Sequence, residues 1–172
     1  MNKKKLNYRV TYLEMNRKPN FDWPKNLKHK LSILLAESFP AWYFLFFYKQ
    51  VGKNYYWTDW LRKSEDEIDE FVNDKNVLLY TLIKDGWPVG FYMLDYRKKD
   101  ICDLSFFGLV DEVIGIGLGK YLLQTAILTA WDSKKIKKLT VNTCSLDHKS
   151  AIYLYQKYGF TPVKYKDLEK TV

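Results

Sequence analysis

The chain has 172 residues, of which 47% are hydrophobic, a size and content that favour one folded domain over residues 1–172 rather than intrinsic disorder. Two cysteines and two histidines exclude a disulfide framework and offer no metal-ligand cluster, and neither a secretory signal nor a membrane-spanning apolar run is present, so a cytoplasmic protein is expected. The net charge of +8 does not by itself indicate nucleic-acid binding, because only four of the 28 basic residues are arginine and the lysines are spread along the chain.

The first half of the chain predicts one strand and three helices. Residues 8–15 are rich in strand-forming side chains, and a turn-rich bridge follows over 16–26. Leucines at 27, 31, 34 and 35 recur at helical spacing and predict a helix that ends before Pro40. A compact aromatic segment, 41–50, predicts a second helix capped by Gly52. After a ring-rich loop over residues 55–62, Ser64 and Glu67 form a capping box for a short acidic helix.

The second half alternates between strands and helices. Segments 77–83 and 89–96 flank a Lys-Asp-Gly turn and predict a hairpin, followed by a strand over 101–110. A glycine cluster then opens a helix that runs to Trp131, and a strand over 139–145 follows. A helix over 149–158, closed by Gly159, leads to a last strand over 160–165. Antiparallel strands followed by helical crossovers predict an α+β protein with a mixed sheet.

The glycine cluster Gly115-Ile116-Gly117-Leu118-Gly119 lies between a predicted strand and a predicted helix. Glycines in such a position let backbone N–H groups converge on an anion at the start of a helix. The P-loop pattern fails because Tyr121 follows Lys120, and the dinucleotide pattern fails because Lys120 occupies the third glycine position. A glycine-rich turn without a ligand fits the cluster alone equally well.

Two longer segments resolve this ambiguity. Residues 103–123 resemble the acetyl-CoA motif of the GNAT acetyltransferases, a strand, a [QR]-x-x-G-x-[GA] loop and a helix. Residues 147–160 are similar to the family's second signature, N-x-x-A-x-x-x-Y-x-x-x-G-F. Ile114 replaces the usual Gln or Arg of the first motif, and His148 replaces the Asn of the second. The segment 143–148, with the sequence T-C-S-L-D-H, also resembles a bacterial subgroup of this family.

This resemblance covers nearly the whole chain and implies a fold and a cosubstrate. The implied fold is a mixed, mostly antiparallel sheet flanked by helices and splayed between its two central strands. The implied cosubstrate is acetyl-CoA, bound without a metal. The residues implied in its binding are Phe107, Leu109, Val110, Ile114, Gly115, Ile116, Gly117, Leu118, Gly119, Lys120, His148, Ala151 and Tyr155.

The resemblance also implies catalytic roles. Tyr155 falls on the tyrosine that protonates the departing thiolate, although a core tyrosine is the alternative. Asp103 occupies a position where some members carry a catalytic base, and alternation along the strand places it on one face with Ser105 and Phe107. Asp147 and a water relay are the competing bases. A nucleophilic role for Cys144 is disfavoured, since a lone strand cysteine is usually a small buried side chain.

The acceptor side is assigned to the ring-rich loop. Trp57, Trp60, Arg62 and Ser105 are the expected substrate-binding residues, with ordinary packing, or for Arg62 a surface ion pair with the acidic run 65–67, as the alternative. The leading function is an N-acetyltransferase that acts on a primary amine of a small molecule or a protein. A CoA-binding module without transfer activity and, less favoured, an RNA-binding accessory protein are the alternatives. An exposed last strand would allow a homodimer, and neither a nucleic-acid nor a membrane partner is expected.

Overall fold

The computed structural model describes residues 5–25 and 29–171. Within these residues seven strands form one sheet in the order β2-β3-β4-β5-β6-β1-β7. The strands are β1 (Lys5–Met15), β2 (Leu31–Ala36), β3 (Val77–Lys84), β4 (Trp87–Asp95), β5 (Ile101–Leu109), β6 (Lys138–Cys144) and β7 (Thr161–Thr171). Every neighbouring pair is antiparallel except β5 and β6, which are parallel. The predicted α+β class with a mostly antiparallel sheet is confirmed.

Helices cover both faces of the sheet. They are α1 (Ala41–Gly52), α2 (Glu65–Val72), α3 (Leu118–Ser133) and α4 (Ala151–Lys157), with short 3₁₀ turns at Trp60–Arg62 and Asp111–Val113. Phe91 of β4 stacks on Phe47 of α1 with 5.0 Å between ring centroids. The hydroxyl of the next residue, Tyr92, donates to Thr129 of α3 at 3.2 Å. Because successive side chains of a strand point to opposite faces, α1 and α3 lie on opposite sides of the sheet.

Several local predictions are confirmed. The hairpin turn has Asp85 at φ 51° and Gly86 at φ 91°. A two-residue hairpin turn of type I′ requires such positive φ values at both central residues. Ser64 accepts a hydrogen bond from the backbone of Glu67, whose side chain accepts from the backbone of Ser64, so the capping box at α2 is present. These bonds, together with Lys63, lower the pKa of Glu67 to about 2.

The helix predicted over 27–39 is wrong. Residues 31–36 instead form the edge strand β2, antiparallel to β3, and Leu27 lies outside the described residues. In β2 the side chains of Leu31 and Ile33 are partly buried, while Ser32 and Leu34 are exposed. The alternation of Leu31 and Ile33 with Ser32 and Leu34, rather than the leucine spacing, fits a half-buried strand, and the free edge of β3 supplies its hydrogen-bonding partner.

Gly52 is not the left-handed cap that the sequence predicts. It is the last residue of α1, it is absent from the positive-φ glycines, and the backbone remains helical at Lys53. A Cβ at Gly52 would lie 2.3 Å from Cβ of Trp57. The glycine is therefore needed for space, because the loop after α1 returns directly against the end of the helix.

The two central strands separate, as the resemblance implies. β5 and β6 align only from Ile101 opposite Lys138 to Asp103 opposite Thr140, although both strands continue beyond these positions. Ser105 is an extra residue in β5, because Leu104 pairs with Leu94 and Phe106 with Met93. Such a bulge bends a strand and increases its twist. Beyond Asp103 the edge of β5 that faces β6 therefore has no ladder partner.

Candidate active site

The gap between β5 and β6 opens into a cleft of about 500 Å³. Its walls come from the loop 55–60, the second half of β5, the glycine cluster and the segment from β6 to α4, with contributions from β1 and β7. The predicted site residues that line it are Trp57, Trp60, Ser105, Phe107, Leu109, Ile114, Gly115, Gly119, His148, Ala151 and Tyr155. Those that the structure does not place in its lining are Arg62, Asp103, Val110, Ile116, Gly117, Leu118 and Lys120.

The glycine cluster presents backbone rather than side chains to the cleft. Gly115 and Gly117 have φ of 91° and 89°, conformations that side-chain-bearing residues rarely adopt. Gly117 is the residue just before α3 and no side chain caps the helix, so the first backbone N–H groups of this 16-residue helix lack intrahelical or capping partners. Unpaired N–H groups at a helix start bind anions. The loop is therefore suited to a phosphate group.

Of the side chains around this loop, two pack in the core and two are exposed. Leu118 and Val110 are buried, and the N–H of Val110 donates to the carbonyl of Val89 at 2.9 Å. Ile116 and Lys120 are exposed. Any contribution of these four residues to ligand binding consequently depends on backbone groups or on charge at a distance.

Tyr155 is held by the way in which α4 ends. The N–H of Phe160 donates to the carbonyl of Tyr155, and the N–H of Gly159 donates to that of Gln156, both at 3.1 Å. Gly159 has φ 102°, and the rings of Tyr155 and Phe160 lie 5.8 Å apart. These are the two bonds and the apolar contact of a Schellman motif. The sequence Y-x-x-x-G-F therefore fixes the tyrosine that it contains.

The environment of Tyr155 keeps its hydroxyl protonated. The residue is only 5% exposed, and its ring packs against Phe107 with 6.0 Å between centroids. Burial is the main reason that its pKa is raised, the charge of Asp147 is the second, and no hydrogen bond to a described residue contributes to the shift. The hydroxyl is therefore protonated at neutral pH, and its place in the cleft wall lets it donate to a basic group bound there.

Asp103 is hydrogen-bonded within β5 and to β6, and it does not line the cleft. Ser105 donates from Oγ to Oδ2 of Asp103 at 2.8 Å, and Thr140 donates from Oγ1 to Oδ1 at 2.6 Å. The carboxylate lies at the last aligned position of β5 and β6, where these bonds close the paired end of the gap. The structure therefore does not bring Asp103 together with Tyr155.

The bulge at Ser105 also changes which side chains share a face. Phe106 packs on Phe44 of α1 at 5.1 Å between ring centroids, while Phe107 packs on Tyr155 of α4. The expectation that Asp103, Ser105 and Phe107 share one face is wrong, because the extra residue interrupts the alternation after Ser105. As a result, the cleft has one aromatic ring of β5 on each side of the sheet.

Asp147 links the loop 55–60 to the segment between β6 and α4 by hydrogen bonds. Its carboxylate accepts from the indole Nε1 of Trp57 at 3.0 Å, from Oγ1 of Thr143 at 2.9 Å and from the N–H of Cys144 at 2.8 Å. Both oxygens are thus engaged. The arrangement fixes Trp57 over the segment between β6 and α4 and makes Asp147 a positioning residue.

The ring-rich loop forms the wall on the α1 side. The ring of Trp57 lies 5.4 Å from that of Tyr48, and the ring of Trp60 lies 5.9 Å from that of Phe106. Arg62, at the end of the 3₁₀ turn, is exposed and does not line the cleft. The i,i+4 ion pair with Glu67 is made by Lys63.

Cys144 and His148 are close in sequence but have separate environments. Burial raises the pKa of the Cys144 thiol, which favours the unreactive protonated form. His148 contacts Ser150 Oγ through Nδ1 at 2.7 Å and accepts there from the N–H of Ser150 at 3.3 Å. With Nδ1 as acceptor, the neutral ring carries its proton on Nε2 and offers a donor to a ligand.

Among the lining residues that the sequence interpretation did not predict are Tyr8, Asp59 and Lys170. Lys170 of β7, whose side chain is 11% exposed, donates to the carbonyl of Tyr56 at 2.9 Å and to Oδ2 of Asp59 at 3.1 Å. Tyr8 of β1 lines the cleft beside them. No local signal marks these positions, since the last strand was predicted to end at 165 and Lys170 reaches the site only by pairing opposite Leu6.

Comparison with family models identifies the architecture. The model of the acetyltransferase (GNAT) family matches residues 36–160. The chain belongs to the GNAT acetyltransferase family. No curated protein matches this GNAT chain in sequence.

Solved structures show the same fold at low identity. A functionally unknown conserved protein from Staphylococcus epidermidis has 13% identity and a TM-score of 0.64, covering 96% of this GNAT chain and 62% of its own. A GCN5-related N-acetyltransferase from Kribbella flavida has 14% identity and a TM-score of 0.63, with 95% and 57% covered. A GNAT family acetyltransferase from Elizabethkingia anophelis with acetyl-CoA bound has 23% identity and a TM-score of 0.57, with 78% of each chain covered. This chain thus spans about 60% of the first two of these proteins.

Membership of the GNAT family indicates acyl transfer. Two further observations concern metal-binding groups and membrane-spanning helices. Within residues 5–25 and 29–171 no three His, Cys, Asp or Glu side chains are grouped so that they could hold a metal ion. Among the helices of the same residues, none is long and apolar enough to cross a membrane.

Proposed function

We propose that this protein is an acetyl-CoA-dependent N-acetyltransferase that transfers acetyl directly to a primary amine of a small molecule or a protein. The observation that carries the proposal is the position of Tyr155, a buried and protonated phenol in the wall of the gap between β5 and β6. The glycine cluster lies in the same cleft, so an anion-binding loop and a proton donor face one ligand space.

The residues suggest how acetyl-CoA is held. The free N–H groups at the start of α3 would donate hydrogen bonds to the pyrophosphate, with Gly115 and Gly117 giving the backbone its required conformation. The unpaired edge of β5 beyond Asp103 would hydrogen-bond the pantetheine arm. His148 would add a donor at Nε2, and Ala151 would leave space beside the arm.

The chemical step needs one proton donor and one route for a proton to leave. The amine nitrogen attacks the thioester carbon, the C–S bond breaks, and the thiolate takes the hydroxyl proton of Tyr155. The nitrogen gives up a proton to water as the amide forms, and water also restores the proton of Tyr155. Direct transfer to water fits the structure, because both carboxylate oxygens of Asp103 and of Asp147 are already hydrogen-bonded.

The setting and assembly of the enzyme are further parts of the proposal. Cys102 and Cys144 are free thiols, which suits the reducing cytoplasm. β7 is an edge strand, so a second copy of the chain can pair there to form a homodimer. Neither a nucleic-acid partner nor a membrane partner is required.

Calorimetric titration with acetyl-CoA, followed by release of free thiol in the presence of primary amines, tests the function. Saturable binding together with amine-dependent thiol release is the expected result. Absence of binding at millimolar acetyl-CoA would refute the proposal. Binding without thiol release for any amine would instead support a CoA-binding module.

A further inference from the structure

We propose that the acceptor is a monoamine with an aromatic or similarly flat apolar body, rather than a polyamine or a peptide lysine. This inference rests on the proposed N-acetyltransferase function and concerns the acceptor half of the same cleft. Three features carry it: the rings of the wall, the charges among the lining residues, and the bonds from Lys170 to the ring-rich loop.

The acceptor half lies on the α1 side of the sheet. Phe107 and Tyr155 mark the side of α4, where the glycine cluster also lines the cleft. Phe106 marks the opposite side, where it packs on Phe44 and Trp60. A donor held on the side of α4 therefore presents its thioester through the gap toward the ring-rich loop.

The wall on this side carries six aromatic rings. They belong to Tyr8, Tyr48, Tyr56, Trp57, Trp60 and Phe106. Four of them, Tyr48, Trp57, Trp60 and Phe106, are held by mutual edge-to-face or tilted contacts, and Trp57 also by its bond to Asp147. Rigid rings favour a flat apolar partner, because stacking and edge contacts add to the burial of apolar surface.

The charges of the lining match a single ammonium group. Two carboxylates, Asp59 and Asp147, and one ammonium, Lys170, leave one net negative charge when His148 is neutral. Asp147 already accepts three hydrogen bonds, and Asp59 is paired with Lys170 at 3.0 Å. A second ammonium on the acceptor would consequently enter beside Lys170 without a free carboxylate to receive it.

The same lysine favours a compact acceptor. By bonding both the carbonyl of Tyr56 and the carboxylate of Asp59, Lys170 joins β7 to the ring-rich loop among the residues that line the cleft. A peptide lysine, with chain on both sides of the residue, needs more room beside this contact than a compact amine does.

Initial rates with four acceptors test the inference at saturating acetyl-CoA. The probes are 2-phenylethylamine, butylamine, 1,4-diaminobutane and a peptide with one internal lysine. We expect kcat/KM for 2-phenylethylamine to exceed that for each of the other three by about tenfold, the value of a favourable ring contact. Equal values for all four, or the highest value for the diamine or the peptide, would overturn the inference.

A charge variant makes the test independent of ring stacking. Lys170→Met releases Asp59, so kcat/KM for 1,4-diaminobutane relative to butylamine should rise by about threefold or more. Lys166→Met, an exposed lysine on the same strand, is the matched control and should leave this ratio unchanged. An unchanged ratio in Lys170→Met, with folding verified by its unfolding curve, would contradict the charge argument.

Failure of the inference and failure of the proposed function give different results. If no amine releases thiol from acetyl-CoA, the transferase function itself is refuted. If amines react but the diamine or the peptide is preferred, only the acceptor class is wrong.

Discussion

Replacing Tyr155 by Phe isolates the proton-donor role. The substitution removes one hydroxyl and leaves the ring, so the contacts with Phe107 and Phe160 at 6.0 and 5.8 Å are retained. The backbone bonds that end α4 do not involve the side chain. Because no hydrogen bond from a described residue supports the hydroxyl, the free energy of unfolding should change by less than about 1 kcal/mol.

The catalytic effect of this substitution should be far larger. Loss of a positioned acid lowers rates by about 10²–10⁴-fold, equivalent to roughly 3–5 kcal/mol of transition-state stabilisation. We expect kcat to fall by that factor, while the acetyl-CoA dissociation constant changes less than about threefold, because the proposed binding mode assigns the phosphate contacts to backbone N–H groups.

The assay is continuous detection of free thiol with saturating acetyl-CoA, combined with calorimetric measurement of acetyl-CoA affinity. Tyr153→Phe is the matched control, since Tyr153 lies on the same helix but is 72% exposed and outside the cleft. A Tyr155→Phe variant with the wild-type kcat would show that another group protonates the thiolate. A variant that loses acetyl-CoA affinity and stability together would show that the hydroxyl is structural.

Three further perturbations follow from the structure. Burial raises the pKa of Tyr48 to about 12, so above pH 10 the unfolded chain loses this proton before the folded chain does. The stability that is present below pH 10 should therefore decline as the pH rises through 12. The measurement is the urea midpoint of unfolding, which should fall while tyrosinate absorbance appears. Trp57→Phe removes the 3.0 Å bond to Asp147, which should raise KM for the amine by about 10-fold and leave acetyl-CoA affinity nearly unchanged; equal loss of both would show a general disturbance. Gly117→Ala places a Cβ in open space but at φ 89°, so a loss of about 1–2 kcal/mol of stability and weaker acetyl-CoA binding are expected. Gly119→Ala, whose Cβ would make only ordinary contacts, should have a smaller effect on both. The reverse order in calorimetry would refute the role of backbone strain.

Local sequence patterns determined several turns and helix ends of this protein. The Asp-Gly turn, the capping box of α2 and the Gly-Phe ending of α4 are written in a few adjacent residues, because each depends on hydrogen bonds that the chain makes with itself. The two longer motifs brought the glycine cluster and Tyr155 into one predicted site, and the structure places both in one cleft. Their catalytic and binding roles stay predictions.

The tertiary structure decided the remainder. The leucine spacing over 27–35 predicts a helix, but the open edge of β3 pairs with 31–36 and selects a strand in which Leu31 and Ile33 are partly buried. The bulge at Ser105 separates Phe106 from Phe107. The hydroxyls of Ser105 in the same strand and of Thr140 in β6 engage Asp103, which does not line the cleft. Lys170 reaches Asp59 across more than one hundred residues of sequence. Contacts of this kind depend on which strands become neighbours, and that is determined by the packing of the whole sheet rather than by any local segment.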